Sequence, residues 1–142
     1  MLVPGIDGKK MSKSLNNFIN IFLPEKELKK IVMSIVTDAT PLEDPKNPDT
    51  CNVFTLYKLI ATKEQTEEMK ANYLKGGYGY GHAKTAFYEL LLTKFKNERE
   101  AYNHFMSNRN ELDARLQAGA DKARKIALTT LKRVREKLGF KN

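Results

Sequence analysis

Apolar residues recur along much of this chain at three- and four-residue steps, the spacing of one face of an α-helix. Leu28, Ile31, Val32 and Ile35 form the first stripe. Pro24 suits a first helical turn, and Glu25 and Glu27 suit the positive end of the dipole, so a helix is predicted to start there. Val53, Phe54, Tyr57 and Ile60 mark a second helix over 51–61. Thr62-Lys63-Glu64-Gln65 has the form of a capping box, which predicts a new start. That helix should end at Gly76-Gly77, where glycine permits a left-handed cap. Ala83, Phe87, Leu90, Leu91, Phe95, Tyr102 and Phe105 predict one long helix over 82–106. Asn108, with Glu111 three residues on, is a candidate cap for the last helix. Leu112, Leu116, Ala120, Ala123, Ala127, Leu131, Val134 and Leu138 run along it until Gly139 ends it.

Other stretches lack this period. Residues 37–48 form a connection in which Pro41, Pro45 and Pro48 each disfavour helix at the preceding residue. Residues 1–20 are dominated by Pro, Gly, Asp, Ser and Asn and read as a flexible, ligand-facing segment. No strand alternation, low complexity or internal repeat is visible. The predicted fold class is all-α, an irregular bundle of about five helices over 21–142 behind a flexible loop over 1–20.

The totals narrow the class of protein. A chain of 142 residues can bury one ordinary core. Hydrophobic residues at 41% and charged residues at 30% predict a folded soluble domain. Lys and Arg number 25 against 17 Asp and Glu, a net charge of +8 that favours a polyanionic partner. Most of that excess lies in the last helix. From Leu112 on, Arg115, Lys122, Arg124, Lys125, Lys132, Arg133, Arg135, Lys137 and Lys141 face only Asp113, Asp121 and Glu136, a local excess of +6. Such an imbalance reads as an RNA-facing surface whose phosphate contacts supply affinity without reading bases. Cys51 is the single cysteine, which excludes an internal disulfide framework and fits a reducing compartment. No metal site is expected from one cysteine and two distant histidines, His82 and His104, which read as caps or packing residues. No apolar run approaches the ~20 residues of a membrane span, and no secretion signal opens the chain.

The candidate chemistry lies in Lys10-Met11-Ser12-Lys13-Ser14, behind the turn Pro4-Gly5-Ile6-Asp7-Gly8. Two ammonium groups and two hydroxyls in five residues suit a polyphosphate. Lysines hold charge where a leaving group turns negative, and no carboxylate base lies among them, so the loop reads as an electrostatic clamp. Gly76-Gly77-Tyr78-Gly79-Tyr80-Gly81 does not match a dinucleotide fingerprint. It reads as a tight connection with tyrosines over small residues, the alternative being that Tyr78 or Tyr80 stacks on an RNA base. Cys51 opens a helix, where a thiol can be activated, but no histidine is near it in sequence and a structural role is expected.

The run Gly8-Lys9-Lys10-Met11-Ser12-Lys13-Ser14-x-Asn16 resembles the KMSKS signature of class I aminoacyl-tRNA synthetases. Met33-Ser34-Ile35-Val36-Thr37-Asp38, then Pro41-Leu42-Glu43 and Pro45, then Pro48-Asp49-Thr50-Cys51-Asn52-Val53-Phe54, and finally the Gly76–Gly81 stretch follow in order. Together they resemble the carboxy-terminal part of bacterial-type tryptophanyl-tRNA synthetases, from about Val3 to about Phe140. The resemblance implies that 1–20 is the end of a Rossmann-type catalytic domain and 21–142 the helical anticodon-binding domain. It implies that Lys10 and Lys13 are catalytic, Lys13 the stronger candidate, and that Lys10, Met11, Ser12, Lys13 and Ser14 bind ATP. It implies a cytoplasmic parent, a homodimer, that joins tryptophan to tRNA(Trp) using ATP and Mg²⁺ through an adenylate.

The nucleotide fold with its HIGH-type motif and the amino-acid pocket are not among these residues, since neither histidine lies in such a motif. The chain alone is therefore expected to be a fragment: inactive, monomeric, without a tightly bound cofactor and without a membrane partner. Met1 is a possible engineered start. Two alternatives stand beside this reading. One is the related tyrosine enzyme, whose bacterial members usually carry a further RNA-binding tail. The other is a non-enzymatic basic helical RNA-binding module with an accidental KMSKS match.

Overall fold

The computed structural model describes residues 3–140. Among these residues the regular elements are six helices: α1 (Glu25–Met33), α2 (Asn52–Lys58), α3 (Lys63–Lys75), α4 (Tyr80–Lys94), α5 (Lys96–Ser107) and α6 (Arg109–Lys137). The only extended pairing among them is an isolated antiparallel bridge between Pro4 and Lys10. The chain divides into two compact units, Met1–Arg99 and Glu100–Asn142.

The first unit is a helical bundle in which α1 and α2 pack on α4 and α2 also meets α3. Most of its core is the predicted one, with Leu56 added from α2. Leu28, Val32 and Ile35 from the first stripe, Val53, Phe54 and Tyr57 from the second, and Ala83, Phe87 and Leu91 from α4 are all buried. Ile31 and Ile60 stay half-buried at its margin. Tyr73 and Met69 of α3 complete it. The Tyr73 hydroxyl lies 3.3 Å from the Cys51 thiol, so the lone cysteine is a packed structural residue.

Local signals set several helix ends. Thr62 Oγ1 accepts from the Gln65 N–H at 3.3 Å, and Gln65 Oε1 accepts from the Thr62 N–H at 2.9 Å, which is the predicted capping box. α3 stops at two glycines of positive φ. Gly76, at φ 78° and ψ 173°, is not in the left-handed helical region but in an extended one that belongs to glycine. A Cβ there would come within 2.4 Å of the Glu43 carbonyl oxygen. His82 is a cap, its Nδ1 accepting from the Gly79 N–H at 3.2 Å.

Two further expectations need correction. The single helix predicted over 82–106 is two, because Phe95 leaves helical geometry at φ −106°, ψ 22°. The turn keeps the Phe95 ring packed against the core. One turn later, the Arg99 guanidinium donates to the Ile21 carbonyl and, at 3.0 Å, to that of Leu23. A one-residue break preserves the phase of the stripe, so periodicity could not reveal it. Nor does Asn108 cap α6 through its side chain. Its amide donates to the His104 carbonyl at 2.8 Å, and Glu111 turns to His104 and Arg115 instead.

The second unit holds no buried helical residue among the described residues. α6 is 29 residues long, and its apolar stripe is exposed: Leu116, Leu131, Val134 and Leu138 face solvent, and Ile126 is 74% exposed. The helix is held by its own turns. Arg115 meets Glu111 at 2.9 Å and Arg124 meets Asp121 at 3.0 Å, pairs that contribute a few tenths of a kcal/mol each. Its end is a Schellman turn, with the Phe140 N–H donating to the Arg135 carbonyl at 3.0 Å and Gly139 to Glu136 at 3.2 Å. Leu28→Ala should therefore lower the unfolding free energy by about 2–5 kcal/mol, while Ile126→Ala should change it by less than about 0.5 kcal/mol. Denaturant unfolding followed by circular dichroism checks both. Equal losses would mean that α6 is buried in solution.

Candidate functional site

The five residues of the clamp motif lie on one loop that curls back on itself. The Gly5 N–H donates to the Lys9 carbonyl at 2.7 Å, Gly8 to Gly5 at 3.0 Å, and Met11 to Val3 at 2.9 Å. Gly8 turns the chain at φ 78°, and Asn16, the residue type most tolerant of such angles after glycine, turns it again at φ 51°. Asn17 fills the inside of the curl and is 3% exposed. Its Oδ1 accepts from the Ser12 N–H at 2.8 Å. Its Nδ2 donates to Asp7 Oδ1 at 2.8 Å and to the Lys10 carbonyl at 3.1 Å. Its backbone carbonyl takes the Ile6 N–H at 2.9 Å. Gly5 lies so close that a Cβ would stand 2.5 Å from the carboxamide, which requires glycine there.

The loop is fastened to the first unit. Asn52, at the start of α2, donates from Nδ2 to the Gly5 carbonyl at 2.9 Å and to that of Ile6 at 3.3 Å. The Val36 N–H adds a bond to the Ile6 carbonyl at 2.8 Å. Lys10, Lys13 and Ser14 are exposed, while Met11 and Ser12 are half-buried. The Ser12 and Ser14 hydroxyls are 2.8 Å apart. Asp7, the one acid in residues 1–20, is occupied by the Asn17 amide and the Lys9 N–H, and these bonds hold its carboxyl below the ordinary range. Among the described residues neither Lys10 nor Lys13 meets a carboxylate, so the clamp presents positive charge to solvent. A groove beside Lys10 is lined by Val3, Pro4, Gly8, Thr50, Asn52 and Thr55.

Sequence reasoning named the cations and missed what arranges them. Asn17 and Asn52 are short polar residues with no motif signal of their own. Lys46 was missed too. It is 2% exposed, and its Nζ donates to the carbonyls of Pro41, Leu42 and Asp44 at 2.8, 3.2 and 3.0 Å. Three acceptors use all three ammonium donors and shape the proline-rich connection. Its one signal was a lone lysine between prolines.

The basic residues of α6 are all exposed. Arg115, Arg124 and Lys132 have carboxylate partners, whereas Lys122, Lys125, Arg133 and Lys137 reach none among the described residues. No group of three or more His, Cys, Asp or Glu among the described residues is placed to hold a metal ion. No described helix is long and apolar enough to cross a membrane.

A family model described as tRNA synthetases class I (W and Y) matches residues 1–96. The chain belongs to that family. This synthetase chain is 47% identical over 139 residues to the tryptophan--tRNA ligase of Campylobacter jejuni (strain RM1221), covering 98% of itself and 44% of that protein. It is 46% identical over 139 residues to the tryptophan--tRNA ligase of Fusobacterium nucleatum, 42% of which is covered. A crystal structure of tryptophanyl-tRNA synthetase from Campylobacter jejuni, complexed with ADP and tryptophan, matches with a TM-score of 0.95 at 46% identity. The match covers 99% of this chain and 44% of that one, so the synthetase chain spans less than half the length of these relatives. The accidental-match alternative is thereby overturned, because the family model includes the clamp loop. The tyrosine alternative has no support from these relatives, which are tryptophan enzymes.

The glycine–tyrosine stretch is the tight connection expected. Tyr78 and Tyr80 set their rings 6.0 and 6.1 Å from Tyr73, and the Tyr80 hydroxyl donates to Asp38 Oδ1 at 2.7 Å. Burial, and then this bond, push the Tyr80 phenol up to about 12 from its ordinary 10.0. The unfolded chain thus ionises this phenol first. Its contribution to stability is complete below pH 10.0 and is lost as pH rises through about 12. Tyr80→Phe should remove a phenolate step near pH 12 from an ultraviolet titration and flatten the alkaline fall in stability. Loss of a step near pH 10 instead would place the hydroxyl in water.

Proposed function

We propose that this chain supplies the phosphate-clamp loop and the tRNA-facing helical domain of a tryptophan--tRNA ligase. Exposed Lys10 and Lys13 on one curled loop, in a chain of this family, carry the reading. Residues 1–20 close the catalytic domain and 21–142 form the helical domain. The tryptophan carboxylate attacks the α-phosphorus of ATP, and charge builds on departing pyrophosphate. Lys13, assisted by Lys10, offsets that charge without transferring a proton. Ser12, Ser14 and the Met11 backbone hold the loop on the phosphates. The ADP and tryptophan in the Campylobacter jejuni structure support these substrates. The described residues do not form a cage for Mg²⁺, so no step is assigned to it. The parent works in the cytoplasm as a homodimer joined through its catalytic domain.

In the intact parent, Lys13→Ala should lower kcat of tryptophan-dependent ATP–pyrophosphate exchange by about 100-fold and leave tryptophan affinity unchanged. Unchanged exchange would remove Lys13 from the mechanism.

The exposed basic face of α6 supports the tRNA contact. Binding of tRNA(Trp) should weaken with salt, the logarithm of affinity falling by about 0.7 to 0.9 per phosphate contact for each unit of log salt. Lys125→Glu with Arg133→Glu should weaken cognate and non-cognate tRNA alike, because phosphate contacts carry little sequence information. A fluorescence titration across a salt series checks this. Flat salt dependence, or an unchanged double variant, would leave α6 a solvated surface.

A further inference from the structure

A buried carboxamide inside the clamp loop does more than fill space. All three hydrogen bonds of the Asn17 side chain go to residues 7–12, and none goes to the helical core. Two of them grip the backbone on either side of Met11, at the Lys10 carbonyl and the Ser12 N–H. The third holds Asp7, whose other partner is the Lys9 N–H. Gly5 closes the fourth side, where a Cβ would stand 2.5 Å from the carboxamide. The Lys10 and Ser12 backbones therefore cannot shift independently. Lys10 lies inside this grip, and Lys13 follows directly behind it. The amide holds the backbone from which Lys10 extends and to which Lys13 is joined through Ser12, and it touches neither ammonium group.

We propose that Asn17 is a positioning residue for phosphoryl chemistry: it fixes the curl from which Lys10 and Lys13 meet the ATP polyphosphate. The proposal rests on the function proposed above and adds to it how the clamp is aimed. Only an acceptor and a donor held in one plane can bridge an N–H and a carbonyl two residues apart. Aspartate keeps the acceptor and loses the donors, and it adds a charge beside Asp7. Misdirected cations stabilise the leaving pyrophosphate less, although the tryptophan pocket is untouched. The loss therefore falls on kcat, since a shift of about 1 Å in a reacting group can cost about 100-fold.

The test uses the full-length synthetase containing this chain, with Asn17→Ala, Asn17→Asp, Lys13→Ala and the Asn17→Ala/Lys13→Ala pair. Each Asn17 variant should lower kcat of tryptophan-dependent ATP–pyrophosphate exchange by about 100-fold and leave the tryptophan Kd unchanged. If Asn17 acts through Lys13, the pair should be no slower than Lys13→Ala alone. Losses that multiply, or a tryptophan Kd that rises as kcat falls, would overturn the proposal. Asp7→Ala removes one of the three bonds from an exposed turn and keeps the test alive if Asn17 variants fold poorly. It should give a smaller loss in the same direction, and wild-type kcat in it would count against the proposal. Amide hydrogen exchange separates the two readings. The Ser12 N–H should exchange faster in Asn17→Ala while the Phe87 amide in the core is unchanged. Ser12 protection equal to wild type overturns the positioning role whatever the activity. A wild-type enzyme without exchange activity would instead overturn the functional reading, and the Ser12 amide would still decide whether Asn17 holds the loop.

Discussion

A carboxamide removed from water must find its partners inside the protein, and Asn17 finds all of them in the loop it closes. That constraint organises the amino end of the molecule. Ile6 and Met11 pack against the helical core, but the rest of the loop has little apolar surface to bury. Between those two anchors its curl closes around the Asn17 carboxamide. Three backbone bonds within residues 3–11 close the curl, Asn17, Val36 and Asn52 take further backbone groups of it, and the lysine side chains remain outside in water. Charge is thus displayed without the desolvation that burying an ammonium group would require.

The helical scaffold carries this loop through two kinds of contact. Asn52 and Val36 tie the Gly5 and Ile6 backbone to the start of α2 and the end of the first apolar stripe. Lys46 performs a comparable task for the proline-rich connection, gathering three carbonyls around one buried ammonium group. In each case a polar side chain replaces secondary structure that proline and glycine forbid. The helices supply the apolar core, and single polar side chains supply the geometry between them.

The second unit depends on different physics. α6 displays a basic surface and an apolar stripe on the same helix, and both are exposed. Its length, its i,i+4 pairs and its Schellman end keep it helical, and its first turns meet α5 through His104 and Phe105. Affinity for a polyanion needs only the charge, which a solvated helix presents as well as a packed one.

The sequence by itself determined the all-α class, most residues of the first core and the paired lysines of the clamp loop. Apolar period, capping box and paired lysines are local signals, and local energetics follow from neighbours in the chain. It also determined the family, because the KMSKS run and the later motifs lie in order along it. The tertiary structure alone decided the break at Phe95, where ring packing and the Arg99 bonds compete with helix continuation. It decided that Asn108 would bond backward rather than cap α6, since His104 and Arg115 compete for Glu111. It decided that the α6 stripe would be exposed, because a stripe records what a helix can bury and not what stands opposite it. And it decided the role of Asn17. An asparagine has no periodicity to betray it, and its importance comes from three partners that meet only when the loop has closed.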